Sequence, residues 1–278
     1  MQELNNKIIF SNGQTVCPLG QGTWKMGQSS FCRSEEIKAL KHGVELGMNL
    51  IDTAEMYGNE KLVGEAICDC RDKVFLVSKV LPNNASFQGT KLACERSLQR
   101  LGVEYIDLYL LHWIGNHPFS ETVEAMNELR KEGKIGMWGM SNIDVADMEN
   151  IISLPDGNHC ATDQVLYNLS NRGVEFDLLP WCQQHNMPVM AYSPIGEGRL
   201  LHNSVLVDIA RRHDVSPAQI ALTWTMRLPG IIAIPKAGSI AHVEDNYRSL
   251  SVCLTEEDLH ELDTVFPTPT KKVLLAGW

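Results

Sequence analysis

The chain has 278 residues, a formal net charge of −10, 44% hydrophobic residues and 21% charged ones. An acidic chain of this kind lacks the basic face that general nucleic-acid or anionic-membrane binding needs, and no apolar run approaches the ~18 residues of a membrane span. The length and apolar content suit one large core, such as a (β/α) barrel of about 250 residues.

Along the chain, Lys7–Phe10 and Thr15–Pro18 flank Ser11-Asn12-Gly13 and predict a hairpin, because Asn-Gly supplies the positive φ angles of a tight turn. This hairpin precedes a repeat and is expected to plug one end of a barrel. Strands are predicted at Leu19–Thr23, Met48–Ile51, Val74–Ser78, Ile106–Leu111, Gly136–Met140, Ala161–Val165, Val189–Ala191 and Ile231–Ile234. Most are short unbroken apolar runs, as strands buried on both faces are. Helices are predicted between them. Ser34 is expected to cap one with Glu35 and Glu36 in its first turn and Ile37, Leu40 and Val44 on one face. Thr122–Leu129 repeats the stripe with Val123, Met126 and Leu129. Ser216-Pro217 sets a capping serine before a proline at the first helical position. The longest gap between strands holds two helical patterns, about Ser204–His213 and Pro217–Met226. Thr255 to Asp258 reads as a capping box opening a final helix, and Phe266–Trp278 as an irregular tail. No linker or low-complexity tract divides the chain, so residues 1–278 are read as one domain.

The eight cysteines are scattered without a C-x-x-C pair, the pattern of reduced thiols in a cytoplasmic protein. The N-terminal MQELNNKIIF has no basic segment followed by a long apolar run, so no secretory signal is expected.

Each predicted strand ends in a polar or aromatic side chain: Trp24, Asp52, Lys79, His112, Ser141-Asn142, Gln164, Tyr192 and Lys236. Such groups at the C-terminal ends of successive parallel strands are what a barrel needs to build an active site. Tyr57 follows Asp52 in the next loop. A free tyrosine, with a pKa of about 10, is a poor general acid near neutrality. Lys79 is expected to lower that value, Asp52 to hold Lys79 ionised and oriented, and His112 to donate a hydrogen bond to a substrate oxygen or to the tyrosine. Taken singly, each has an ordinary structural explanation: a helix cap, a half-buried ring, a solvated lysine, a core histidine. Four protic groups clustered on three consecutive strand ends favour chemistry.

Gly47 to Glu60 (GMNLIDTAEMYGNE), Val77-Ser78-Lys79, Leu110 to Trp113, Gly139 to Asn142 and Ile234-Pro235-Lys236 together closely resemble the aldo-keto reductase signatures, in order, from about Gly20 to Asn246. The resemblance is strongest to bacterial reducers of small aldehydes, methylglyoxal among them. It implies a (β/α)8 barrel that binds NADPH, with NADH possible, and a tetrad of Asp52, Tyr57, Lys79 and His112 with Tyr57 as proton donor. It further implies that Ser141, Asn142 and Gln164 hold the carboxamide and that Tyr192 stacks on the nicotinamide. The loop with Ser193, Gly196, Gly198 and Arg199 would pass the pyrophosphate, and Lys236, Ser239 and Asn246 would meet the adenosine end. Where the family often carries an arginine for the 2′-phosphate, His242 stands here. Histidine is only partly charged and lacks the guanidinium fork, which predicts a weaker preference over NADH.

Trp24, Met56 and Trp113 would line an apolar pocket for small carbonyl compounds. The mouth loops are short, which suggests an open pocket, and Trp278 is a candidate to fold over it. The expected enzyme is a cytoplasmic monomer without metal. Three rivals are weaker. Gly20-Gln21-Gly22 begins a dinucleotide fingerprint, but Lys25 stands where a glycine is needed. His112 and His117 lack metal-site spacing. A non-catalytic nucleotide-sensing barrel would not need an intact tetrad.

Overall fold

The computed structural model describes residues 7–277. A two-stranded antiparallel hairpin, β1 (Ile8–Ile9) and β2 (Thr15–Val16), is followed by eight parallel strands: β3 (Gln21–Gly22), β4 (Leu50–Asp52), β5 (Phe75–Val80), β6 (Ile106–Leu111), β7 (Ile135–Ser141), β8 (Cys160–Leu166), β9 (Val189–Tyr192) and β10 (Ile231–Ile234). They pair in chain order from β3 to β10. Parallel bridges from Leu19 to Ala233 and from Gly22 to Lys236 close the ring. Around it stand α1 (Arg33–Leu46), α2 (Glu60–Ile67), α3 (Phe87–Leu101), α4 (Phe119–Lys131), α5 (Val145–Ser153), α6 (Leu178–Gln184), α7 (Ser204–His213), α8 (Pro217–Thr225), α9 (Ile240–Arg248) and α10 (Glu256–Val265). This is the expected (β/α)8 barrel with an added hairpin and extra helices near the C-terminal end.

Side chains alternate between the two faces of a strand, so each barrel strand feeds two cores. One is the barrel interior, where Leu50, Val77, Leu108, Met137, Met190 and Ile232 pack under Phe10 and Val16 of the hairpin. Phe10 stacks on Phe75 with ring centroids 4.9 Å apart, so the hairpin does plug the N-terminal end. The other is the shell between strands and helices, where Leu40, Val123, Met126 and Leu129 are buried as their helical spacing predicts. Among the described residues the hairpin shuts the barrel interior at its N-terminal end, and the interior faces outward at the C-terminal mouth.

Local chemistry explains most helix starts. Ser216 accepts a hydrogen bond from the Gln219 amide with Pro217 at the first helical position, and Thr255 and Asp258 form the reciprocal capping box. Ser34 does not cap α1. The helix begins two residues earlier, at Arg33 after Cys32, with no side-chain cap, and Glu36 of its first turn is buried instead of solvated.

The segment after α10 has no regular structure through Gly277, as expected, but it is tied down. Arg172 donates to the Thr268 hydroxyl and to Asp263, and Lys272 bridges Asp144 at 3.0 Å and Asp177 at 2.8 Å. Trp278, the candidate mouth cover, lies outside the described residues.

Candidate active site at the barrel mouth

Asp52 ends β4, Lys79 is the penultimate residue of β5, and His112 follows β6 directly. Lys79 is fully buried. A lone ammonium there would be costly, and it is held by three acceptors: Asp52 Oδ2 at 2.7 Å, the Thr53 carbonyl at 2.8 Å and the Tyr57 hydroxyl at 3.3 Å. Burial opposes its charge, but Asp52 and the phenol outweigh burial and raise its pKa. The second oxygen of Asp52 accepts from Gln164 Nε2 at 2.8 Å, so the carboxylate is satisfied on both sides.

Tyr57 ends the short 3-10 turn Glu55–Tyr57. Two anchors fix that turn, and the sequence reading missed both although they lie within the quoted motif. Glu55 accepts from the Leu81 amide and from Asn84, clamping the loop after β4 to the loop after β5. Asn59 donates to the Thr23 carbonyl at 2.7 Å and accepts from the Thr53 hydroxyl at 2.8 Å. The phenol therefore faces Lys79 because its backbone is held from both neighbours.

The expected acidification of Tyr57 is not what the geometry gives. Burial raises the phenol above its ordinary value, and the attraction of Lys79 offsets only part of that, with the Asp52 charge opposing it. The sequence displayed the cation but not the depth of burial. Burial and the Lys79 charge hold His112 neutral, with its pKa down at about 2. His112 Nδ1 is buried with no hydrogen-bond partner among the described residues.

Trp24, Tyr57, His112 and Trp113 form a run of ring contacts with centroids 4.9, 5.6 and 4.7 Å apart. Trp24 and Met56 are exposed and Trp113 is half-buried, so the three residues expected to line a pocket stand beside the tetrad. The loops after β3 and β9 also meet, through Lys25 and Glu197 at 3.3 Å.

The residues expected to hold a cofactor lie along the same rim. Ser141 donates to the Gln164 carbonyl at 2.9 Å. Asn142, at φ 59°, donates to the His112 carbonyl and accepts from the Tyr192 hydroxyl at 2.8 Å. That conformation takes Asn142 off the strand and toward the mouth, and Asp144, not Ser141 or Asn142, caps α5. Ser193, Gly196 and Gly198 all have positive φ in the loop after β9, and Arg199 Nε donates to the Gly196 carbonyl. Asn168 steadies that loop by donating to the Ser193 carbonyl at 2.9 Å. Lys236 follows β10, Ser239 caps α9 through the His242 amide, His242 is exposed and Asn246 is buried on the same helix. The tail completes the rim. A Cβ placed on Gly277 would lie 3.8 Å from Asn142 Oδ1, so the mouth is less open than the short loops suggest. A cavity of about 160 Å³ remains beneath the tail, between Leu274 and Leu166.

A closed barrel whose mouth gathers a lysine-bound phenol, a neutral histidine and a rim of amides and glycines is the arrangement of a barrel oxidoreductase. The profile of the Aldo/keto reductase family matches residues 18–266, and the chain belongs to that family. In particular, it is 52% identical to Methylglyoxal reductase YeaE of Escherichia coli (strain K12), over 98% of this chain and 99% of that one. It is 31% identical to Glyoxal reductase of Bacillus subtilis (strain 168), over 94% and 93%. A crystal structure of an aldo-keto reductase from Klebsiella pneumoniae in complex with NADPH matches with a TM-score of 0.96 at 47% identity, covering 98% of this chain and 99% of that one.

Proposed function

We propose that this enzyme reduces small aldehydes, methylglyoxal among them, with Tyr57 as the proton donor. It is an NADP-dependent aldo-keto reductase, and its reaction is carbonyl reduction to the alcohol. NADPH supplies the hydride to the carbonyl carbon. The chain's own residues supply the rest.

The observation that carries the reading is the contact between Lys79 Nζ and the Tyr57 hydroxyl at 3.3 Å, with Lys79 fully buried and also bound to Asp52 and the Thr53 carbonyl. A donor must hold its proton until the carbonyl oxygen becomes negative. Burial keeps the phenol protonated at neutral pH, and Lys79 stabilises the phenolate left after transfer. Asp52 fixes Lys79 in place. His112, being neutral, offers one ring N–H to the same oxygen without adding a charge that would compete with Lys79.

The rim fits the cofactor. Ser141, Asn142 and Gln164 supply a hydroxyl and two amides suited to a carboxamide, and the Tyr192 ring, tied through its hydroxyl to Asn142, would stack on a flat heterocycle. The positive-φ loop with Ser193, Gly196, Gly198 and Arg199 lets backbone amides approach a pyrophosphate. Lys236, Ser239, His242 and Asn246 would meet the adenosine phosphate end. Trp24, Met56 and Trp113 give the pocket an apolar wall that admits a small carbonyl compound. The eight scattered cysteines, without a C-x-x-C pair, favour a cytoplasmic enzyme with reduced thiols.

Tyr57→Phe tests the assignment. It is expected to lower kcat for methylglyoxal by about 10²–10⁴-fold and to leave NADPH affinity within about twofold, measured by absorbance loss and by direct titration. A variant retaining near-normal single-turnover rates would remove Tyr57 from the role.

A further inference from the structure

We propose that Glu36 is a specificity-determining residue that weakens the preference for NADPH over NADH by drawing Lys236 away from the 2′-phosphate. The inference rests on the reading that Lys236 meets that phosphate.

Glu36 is out of place for a first-turn acid. Glu35 beside it is exposed and serves the positive end of α1. Glu36 turns inward, and its side chain is only 6% exposed. One oxygen, Oε2, accepts from the Gly27 amide at 2.8 Å, which anchors the carboxylate to the loop after β3. The other, Oε1, lies 3.7 Å from Lys236 Nζ. That is too long for a hydrogen bond but within ion-pair distance, at a site where the acid is buried and the lysine partly exposed. Gly238 makes the approach possible. A Cβ there would lie 2.8 Å from Lys236 Nζ and 3.7 Å from Glu36 Oε1, so the lysine folds back across the bare glycine toward the acid.

The consequence is selective. A 2′-phosphate at Lys236 must share the ammonium with a fixed carboxylate and must itself approach that negative charge. NADH has no such phosphate and meets neither penalty. On α9 the exposed His242, in place of an arginine, adds no permanent charge to redress the balance. Glu36 and His242 therefore act in the same direction.

Direct titration of the apoenzyme by tryptophan fluorescence with NADPH, NADH, 2′-AMP and 5′-AMP tests this. Glu36→Gln keeps an oxygen for the Gly27 amide and removes the charge, and circular dichroism checks that it folds. NADPH and 2′-AMP should bind about 3–10-fold more tightly to it, with NADH and 5′-AMP changed by less than about twofold. In a Lys236→Met background the gain should vanish. An equal shift for both ligand pairs, no tightening, or a gain that survives Lys236→Met would overturn the proposal. If Lys236→Met alone weakened NADPH no more than NADH, the underlying reading of Lys236 would fall, a result distinct from failure of the Glu36 variant alone.

Discussion

A tyrosine and a histidine side by side in this mouth are both held neutral by burial, and that shapes the pH response. The His112 pKa is pushed down to about 2 and the Tyr57 phenol up from 10, so neither changes charge between them. The rate of reduction is expected to be flat from about pH 5 to 9 and to fall only when the phenol begins to lose its proton above about 10. A step in kcat near 6.5 would show His112 titrating. Asp52, Lys79 and His112 were legible because each is chemically conspicuous at a strand end, and Tyr57 because it follows Asp52 in the next loop. The sign of the Tyr57 shift was not, because it depends on a balance between burial and a neighbouring charge that only coordinates reveal. Asp163 is a second case. It is fully buried beside Gln164, neither of its oxygens makes a hydrogen bond of good geometry among the described residues though two backbone amides lie near, and burial raises its pKa well above the carboxylate range. The amides of Ile143 and Gln164 offset only part of that. The folded state keeps a proton that the unfolded chain releases above about pH 4, so this group's contribution to stability declines as pH rises from there toward the folded value. Asp163→Asn should stabilise the protein at pH 8 by on the order of 1–3 kcal/mol and much less at pH 4, as read from urea unfolding. An equal effect at both pH values would mean that Asp163 is ionised in the fold.

Elements were read well where their cause is local. The capping box at Thr255, the Ser216-Pro217 start and the stripe of Val123, Met126 and Leu129 all reappear, because each is written in a few adjacent residues. Strands β6 and β10 match their predicted bounds, whereas β3 shrinks to Gln21–Gly22. Its partner across the ring is β10, distant in sequence, so its length depends on closure and not on its own composition. Ser34 failed as a cap for a similar reason: Glu36 is drawn inward by the Gly27 amide and Lys236, neither of them local to the helix. The hairpin tests the value of an element outside the repeat. Phe10→Ala would remove the ring stacked on Phe75 and open a cavity at the shut end, with an expected loss of about 3–5 kcal/mol in urea unfolding. Because the mouth is built at the opposite end, KM should stay within about twofold. A large change in KM with little loss of stability would show that the plug communicates with the site.

For the whole molecule, the ring closes on a short joint without a ladder. Seven strand pairs carry ladders, one of them with a register shift at Trp138–Met140, but the first and last strand segments meet through two single bridges, with Gly20 donating to the Ala233 carbonyl at 2.8 Å, Ala233 to the Pro18 carbonyl at 2.8 Å and Gly22 to the Pro235 carbonyl at 3.0 Å. A Cβ on Gly22 would lie 2.6 Å from the Ile234 carbonyl oxygen, so the seam needs a bare backbone there. Gly22→Ala is expected to part the seam, displace Lys236 and weaken NADPH binding by 10-fold or more with a clear fall in Tm. Unchanged NADPH affinity would mean that the rim at Lys236 does not depend on closure. The resemblance named the barrel, but the narrowness of its final joint lies in backbone distances that no residue type announces. The path of the C-terminal segment has a practical corollary for anyone handling the enzyme. With Gly277 beside Asn142, a tag or fluorescent fusion joined directly at Gly277 would begin at the doorway of the proposed nicotinamide pocket, whereas one joined directly ahead of Ile8 would begin at the sealed end, far from the mouth.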